Sequence, residues 1–231
     1  MRRYPAISLP AYRDIQHGLR QDRIDARFVQ TTRGHHHEAH TAFSTILSPG
    51  GEVGERTILV YRGASARFDH AKIPWQKFQA RWFHLSSLNG DTALLKKILD
   101  HAKRIGAHVS MNPGGQELKK SNRAIFQRLD FLILNREEAA KLTRQPFKNT
   151  KGLLRALRRC ARASIMTDGS KGAYAVTEKN VYAIPSVGHK PKNITGAGDA
   201  FGSGFITGWI KSRGNIIEAL RVGSLNADSV V

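Results

Sequence analysis

From Ala80 onward the sequence alternates strand-like and helix-like segments, and this order restricts the possible folds more than any other feature. Arg81 to Ser86 is a β-prone run. Asp91 can cap a helix whose Leu94, Leu95, Ile98, Leu99 and Ala102 share one apolar face, with Gly106 as its stop. A strand from Ala107 to Met111, a helix from Glu117 to Arg128 and a strand from Phe131 to Leu134 follow. A basic helix from Lys151 to Ala161 leads to a strand from Ser164 to Thr167. Tyr174 to Thr177 and Val181 to Ile184 read as an added hairpin, and helices starting at Asp199 and near Asn215 close the chain. Such alternation predicts an α/β fold: a doubly wound, mostly parallel sheet with helices on both faces. Ligands of such sheets sit beyond the carboxyl ends of the strands, and Asn112, Asn135 and Asp168 each follow a strand there.

The first part of the chain is different. Arg13 to Ile24 reads as a short helix; Phe28-Val29-Gln30, Ala42 to Leu47 and Thr57 to Tyr61 are β-like, and Ser48-Pro49-Gly50-Gly51 supplies a turn. The expected organisation is a start and small β region over 1–79 and an α/β core over 80–231. With 231 residues, 40% of them hydrophobic, the chain can bury a core as one domain with a small appendage. Cys160 is the single cysteine, which excludes an internal disulfide and fits a reducing compartment. Met1 to Pro5 is followed by no apolar run, and no stretch is long enough to span a bilayer, so a cytoplasmic protein is expected without a membrane partner.

The charge balance is 37 Lys+Arg against 18 Asp+Glu, a net +19. Part of it is concentrated between Ala139 and Thr167, which holds no acidic residue. A basic surface attracts polyanions and steers phosphorylated ligands. Here Leu153, Leu154, Leu157 and Ala161 recur at helical spacing and leave the arginines outward, as on an ordinary solvated face. No aromatic interleaving accompanies the charge, so nucleic acid is not an expected partner.

The densest chemical signal is Asn193-Ile194-Thr195-Gly196-Ala197-Gly198-Asp199-Ala200-Phe201. A turn of small residues opens into a helix, where N–H groups lack intrahelical partners and the dipole favours negative charge. Gly196, Ala197 and Gly198 let a phosphate approach those groups closely. Asp199 in the first helical turn would repel a phosphate, but it is well placed to take a proton from an attacking hydroxyl. The plainer reading is a helix-capping Asp; the three small residues before it are harder to explain by capping. No Walker-type Gly-x-x-x-x-Gly-Lys-Ser/Thr is present, and the glycine spacing lies at the wrong end of the chain for a dinucleotide fingerprint.

Thr195 to Phe201 resembles the C-terminal signature of the ribokinase (PfkB) family of ATP-dependent carbohydrate kinases. Leu134-Asn135-Arg136-Glu137-Glu138-Ala139 and Met166-Thr167-Asp168-Gly169-Ser170-Lys171-Gly172-Ala173 match two further family segments in the right order. The resemblance runs from about Gln16 to the last residue. It implies a ribokinase-like fold with a small β lid over the sugar site, and transfer of the ATP γ-phosphate to a hydroxyl of a sugar, nucleoside or similar small molecule. It further implies Asp199 as general base, with the N–H groups of Gly196, Ala197 and Gly198 stabilising charge on the transferring group. Asn135 and Glu138 would organise Mg²⁺ and its waters; read alone, they are also an ordinary helix start. Thr167, Gly169 and Gly172 would form a nucleotide loop, with Lys171 adding charge near the phosphates and Thr195 and Asn226 also on the nucleotide side. That loop reads equally as a β-turn. Asn112 would line the substrate side, and a homodimer through the lid is implied.

The chain also departs from that pattern. Asn193 replaces the usual Asp, which argues against a monovalent-cation site beside the anion-binding turn. The family's first strand, sugar-contacting Asp and Gly-Gly-Asn-type segment do not appear before Arg13, and its last segment does not appear before Val231. The chain is therefore expected to be an incomplete member, a weak or inactive sugar kinase that still binds ATP; the alternative is a nucleotide-binding remnant that acts through a partner or a polyanion. The cluster His35, His36, His37, Glu38 and His40 has metal-ligand chemistry but no spacing to orient it, and reads as a polar loop.

Overall fold

Among the described residues, backbone pairing gathers the strands into two sheets. The computed structural model describes residues 10–29, 41–47, 57–119, 123–188 and 194–231, and the chain divides into two compact units, Met1–Ala71 and Lys72–Val231. In the first unit, α1 (Pro10–Gln21) precedes an antiparallel ribbon of β1 (Phe43–Leu47) and β2 (Thr57–Tyr61). Phe28 and Val29 are not in a strand as expected. Asp25 accepts from the Arg27 N–H and guanidinium, and the Val29 N–H bonds the Ala26 carbonyl, so the backbone there closes on itself. Gln30 and the Ser48–Gly51 turn lie outside the described residues.

The second unit is built on a six-stranded sheet in the order β3-β4-β5-β6-β7-β8. β3 (Trp82–Leu85), β4 (His108–Met111), β5 (Phe131–Asn135) and β6 (Ala163–Thr167) run parallel. β7 (Ala173–Thr177) and β8 (Val181–Ile184) add an antiparallel edge, as the hairpin expectation required. α2 (Thr92–Ile105) starts where the Asp91 carboxylate accepts from the Leu94 N–H at 2.8 Å. It ends at Gly106, whose φ of 71° is costly for any residue with a Cβ. Both signals were legible in the sequence.

The helices differ from expectation between β4 and β6. The expected helix from Glu117 to Arg128 is seen as α3 (Gly115–Lys119) and α4 (Arg123–Phe126), with residues 120–122 outside the described residues. α5 (Arg136–Thr143) is a separate helix directly after β5. α6 (Thr150–Leu157) begins under an Asn149 cap and stops before Ala161. Its last turn tightens, with Cys160 N–H bonding the Leu157 carbonyl, before Arg162 N–H reaches back to Leu129. α7 (Ala197–Lys211) and α8 (Ile216–Asp228), the latter capped by Asn215, complete the unit.

The core lies on both faces of this sheet. Along β5, Leu132 and Leu134 point toward α2, α5 and α6, while Phe131 and Ile133 point toward α7 and α8, and all four are buried. This is the doubly wound arrangement expected from the alternation. α7 and α8 pack almost backbone to backbone. A Cβ on Gly204 would lie 2.7 Å from that of Asn226, and one on Gly208 would lie 3.0 Å from the Cα of Ala219.

Two turns at the carboxyl edge are joined by a buried ion pair. Arg136 Nε and Nη2 each donate to Asp168 at 2.5 Å, with the side chains only 8% and 7% exposed. Arg136 also donates to the Phe147 carbonyl (2.8 Å) and to Thr150 Oγ1 (2.9 Å), and its guanidinium lies over the Phe147 ring. Removing one partner of such a pair strands the other charge away from water. Asp168→Ala is expected to cost about 3–5 kcal/mol of unfolding free energy, measured by urea denaturation. A loss below 1 kcal/mol would show that the pair behaves as a surface contact.

Candidate active site

α7 begins at the turn that the sequence singles out. Gly196 caps the helix at φ 87°, a conformation that favours glycine. Nothing lies within 4 Å of a Cβ built on Gly196 or Gly198, so their backbone is open to a ligand. Thr195, Gly198 and Asp199 are exposed, and Asp199 stands in the first turn. The Ala200 N–H bonds the Gly196 carbonyl, and the Ala197 N–H reaches Ile194 at a long 3.4 Å. The N–H groups of Gly198 and Asp199 belong to the turn that no helical carbonyl precedes. Farther along, the Gly202 Cβ position is 3.5 Å from His84 Nε2 and 3.7 Å from Ile133 Cδ1, which sets the start of α7 beside β3 and β5.

Asn135 and Glu138 meet in a reciprocal capping box. Asn135 Oδ1 accepts from the Glu138 N–H, and Glu138 Oε2 accepts from the Asn135 N–H, each at 2.8 Å. The helix-start reading of this pair is therefore seen directly. The cap uses one carboxylate oxygen of Glu138 and leaves the other to point elsewhere. Burial pushes the Glu138 carboxyl above its usual range. The Asn135 N–H opposes this, Glu137 and Asp199 add to it, and Lys141 opposes it. Glu138 and Asp199 thus act on each other electrostatically.

The segment after β6 is a turn held by its own geometry. Thr167 pairs with Asn135 on one side and Ala173 on the other. Asp168 turns inward to Arg136, and Gly169–Lys171 form a single 3₁₀ turn with Lys171 exposed. Gly172 has φ 90°, and a Cβ there would meet the Ile184 carbonyl at 2.0 Å, so only glycine fits against the start of the hairpin. Gly169 also has positive φ, with open space around it. Asn226 donates to the Ala200 carbonyl at 2.7 Å and fastens α8 to the first turn of α7. Asn112 continues from β4, its N–H bonding the Leu85 carbonyl, and is half-buried. The His35 to His40 cluster and Asn193 lie outside the described residues.

The structure adds residues that the sequence did not single out. Glu117 is buried, and its carboxylate accepts from the N–H groups of Leu88 (2.5 Å) and Gly90 (3.1 Å) and from Ser87 Oγ (3.0 Å). It fixes the loop that leaves the carboxyl end of β3. Nothing in Gly-Gly-Gln-Glu announces that role. His84 lies on β3 with Nδ1 2.8 Å from the buried Ser110 Oγ. Burial holds the imidazole below its ordinary value, while Asp199 pulls it up. A lone histidine between aromatic and aliphatic residues in Trp-Phe-His-Leu was the available signal. The carboxyl edge therefore brings together Asn112, Asn135, Glu138 and Thr167, with the α7 turn beside it.

Among the described residues no cluster of three or more His, Cys, Asp or Glu is shaped to cage a metal. A hydrated Mg²⁺ needs only one or two carboxylates together with substrate phosphates. Nor is any described helix long and apolar enough to cross a membrane.

The same chain is similar to known kinases. It is 29% identical over 180 residues to a cytidine kinase of Thermococcus kodakarensis, a match covering 74% of this chain and 63% of that protein. The chain thus spans less than two thirds of that relative's length. Its structure superposes on adenosine kinase from Sinorhizobium meliloti with a TM-score of 0.79 at 20% identity, covering 97% of this chain and 70% of that one. Fructokinase from Vibrio cholerae, crystallised with fructose, ADP and calcium ion, gives 0.74 at 22% identity over 93% and 73% of the two chains. These likenesses establish the ribokinase-like fold. A model of the pfkB family of carbohydrate kinases matches residues 12–231, nearly the whole sequence, and the chain belongs to that family.

Proposed function

We propose that this chain is an ATP-dependent kinase that phosphorylates a hydroxyl of a small sugar-like acceptor, with sugars and nucleosides as the candidate class. The observation that carries the reading is Asp199 in the first turn of α7, directly after an open Gly-Ala-Gly backbone and electrostatically coupled to Glu138. Asp199 accepts the proton of the acceptor hydroxyl as that oxygen attacks the γ-phosphate. The N–H groups of Gly198 and Asp199, with Gly196 and Ala197 shaping the turn, face the charge that develops on the transferring group. The cytidine kinase relative supports nucleosides as acceptors.

The residues present fit a hydrated Mg²⁺. Glu138 offers a hard oxygen that the cap does not use, and Asn135 and Asp199 stand nearby. When bound, the ion would neutralise charge on the phosphates. Thr167, Gly169, Lys171, Gly172 and Thr195 remain the proposed nucleotide side, and Asn112 the acceptor side. Asn226 is assigned through its hold on Ala200. The β1–β2 ribbon exposes Phe43, Leu47, Ile58, Leu59 and Val60, which supports its proposed use in a homodimer. A reducing, cytoplasmic setting suits the buried Cys160 thiol.

The direct test is ADP release from ATP and Mg²⁺ across a panel of sugars and nucleosides. Acceptor-dependent turnover is expected. ATP binding without turnover on any acceptor would favour the remnant reading instead. Asp199→Asn is expected to lower kcat by about 10²–10⁴-fold with nucleotide affinity unchanged or higher, because a charge that repels phosphate is removed. Unchanged turnover in that variant would remove Asp199 from the mechanism.

Glu138 allows a separate check that needs no turnover. Its carboxyl is raised in the folded state, so its contribution to stability is greatest below the ordinary carboxylate value of 4.5 and is lost as pH rises through the raised one. In the presence of a chelator, the Tm of Glu138→Gln relative to wild type should therefore climb as pH increases from that value toward neutrality. Half-maximal Mg²⁺ for turnover should rise in the same variant. Superimposable Mg²⁺ titrations would leave Glu138 as a helix-start residue alone.

A further inference from the structure

His84 is oriented from behind by a buried network. Side chains alternate along a strand, so His84 and Trp82 share one face of β3. The Trp82 indole N–H can only donate, and it donates to Ser110 Oγ at 2.8 Å. Ser110 is fully buried and has one proton to give. Two acceptors are within reach, His84 Nδ1 at 2.8 Å and the Phe83 carbonyl at a marginal 3.5 Å. With the serine proton given to Nδ1, that nitrogen is an acceptor and the proton of the neutral ring resides on Nε2; with it given to the Phe83 carbonyl, Nδ1–H donates to Ser110 Oγ instead.

That Nε2 edge faces α7, 3.5 Å from the Cβ position of Gly202. Asp199 precedes Gly202 by three residues and so lies on the same helix face. His84 reaches the surface in part, and the serine that orients it is fully buried. A histidine kept only for packing gains little from a buried serine that orients its ring while the residue itself reaches the surface. A donor of set direction beside a proton acceptor is what a hydroxyl-bearing ligand can use.

We propose that His84 is an acceptor-binding residue, whose neutral Nε2–H donates to an oxygen of the hydroxyl-bearing substrate beside Asp199. This rests on the kinase reading above, because it assigns the acceptor to the space that Asp199 serves. His84 fixes where the acceptor lies, and Asp199 remains the proton acceptor. Loss of one neutral hydrogen bond weakens binding by about 5–10-fold.

Two measurements test this. Long-range ¹H–¹⁵N correlations on the ¹⁵N-labelled chain, assigned by comparison with His84→Gln, should show the Nε2–H tautomer. The His84 ring resonances should shift on addition of at least one nucleoside or sugar from the panel. An Nδ1–H tautomer, or a ring that no acceptor perturbs, overturns the proposal whether or not the chain turns over. In kinetics, His84→Ala should raise KM for the acceptor about 5–10-fold with KM for ATP unchanged, and His84→Gln, which keeps an N–H donor, should recover most of the loss. An unchanged acceptor KM, or equal rises in both KM values, overturns the proposal while leaving the kinase reading intact. Absence of turnover in the wild type on every acceptor overturns the kinase reading and leaves the tautomer and ligand shifts to decide on His84.

Discussion

The guanidinium of Arg136 and the carboxylate of Asp168 are buried together between the ends of β5 and β6, and the geometry of the carboxyl edge follows from how they are satisfied. Taking both charges out of water is costly, and their attraction offsets that cost only when the remaining donors also find acceptors. Here they do. The Phe147 carbonyl and Thr150 Oγ1 complete the fork, so one side chain ties β5, the segment before α6 and the turn after β6. Arg136 directly follows Asn135. Fixing the arginine therefore fixes the start of α5, and with it the capping box that orients Glu138. The pair defines a geometry more than it supplies stability.

The other half of the site depends on the absence of side chains. Gly204, Gly208 and Gly223 let α7 and α8 approach until a Cβ on Gly223 would sit 3.1 Å from the Phe201 carbonyl. Phe201 and Phe205 fill the space between this helix pair and the sheet, with Phe205 edge-on to Phe131 at 5.0 Å between ring centres. Asn226 then takes the Ala200 carbonyl, one residue beyond Asp199. The Asp199 backbone is thus held by a helix packed closely against α8. Pre-organisation of this kind lets a proton acceptor work without reordering itself at each turnover.

What was legible in the sequence had local causes. The Asp91 cap and the Gly106 stop bound α2 as expected because each acts through its own neighbouring backbone. The β7–β8 hairpin and the small-residue turn before α7 were legible for the same reason. The misses had non-local causes. Glu117 is buried because the loop from Ser87 to Gly90 brings N–H groups to it across 27 to 30 positions of sequence. At Gly172 the bare backbone is required by the Ile184 carbonyl of another strand, a contact that no local pattern announces. Arg136 carries no local sign of its burial, since its partner lies 32 residues away.

The remaining issue at the edge is like charge. Burial makes ionisation of Glu138 less favourable, and the nearby Asp199 adds to that effect. A triphosphate approaching the α7 turn adds more negative charge to the same space. Lys141 acts on Glu138 only as the last and opposing influence, and the surplus of 37 basic over 18 acidic residues works at long range, where salt screens it. Neither places a positive charge between the groups that repel. A divalent cation held by the Glu138 carboxylate would, and because it would bind the ionised form, its binding would be linked to proton release at Glu138. On the proposed reaction this coupling is useful in a specific way. Without the cation, the site disfavours the charges it must hold; with nucleotide and cation both present, Asp199 is left as the carboxylate facing the acceptor. On that proposal, the turn of α7 would become a proton-accepting site once the ligand that supplies the phosphate has brought its counter-charge with it.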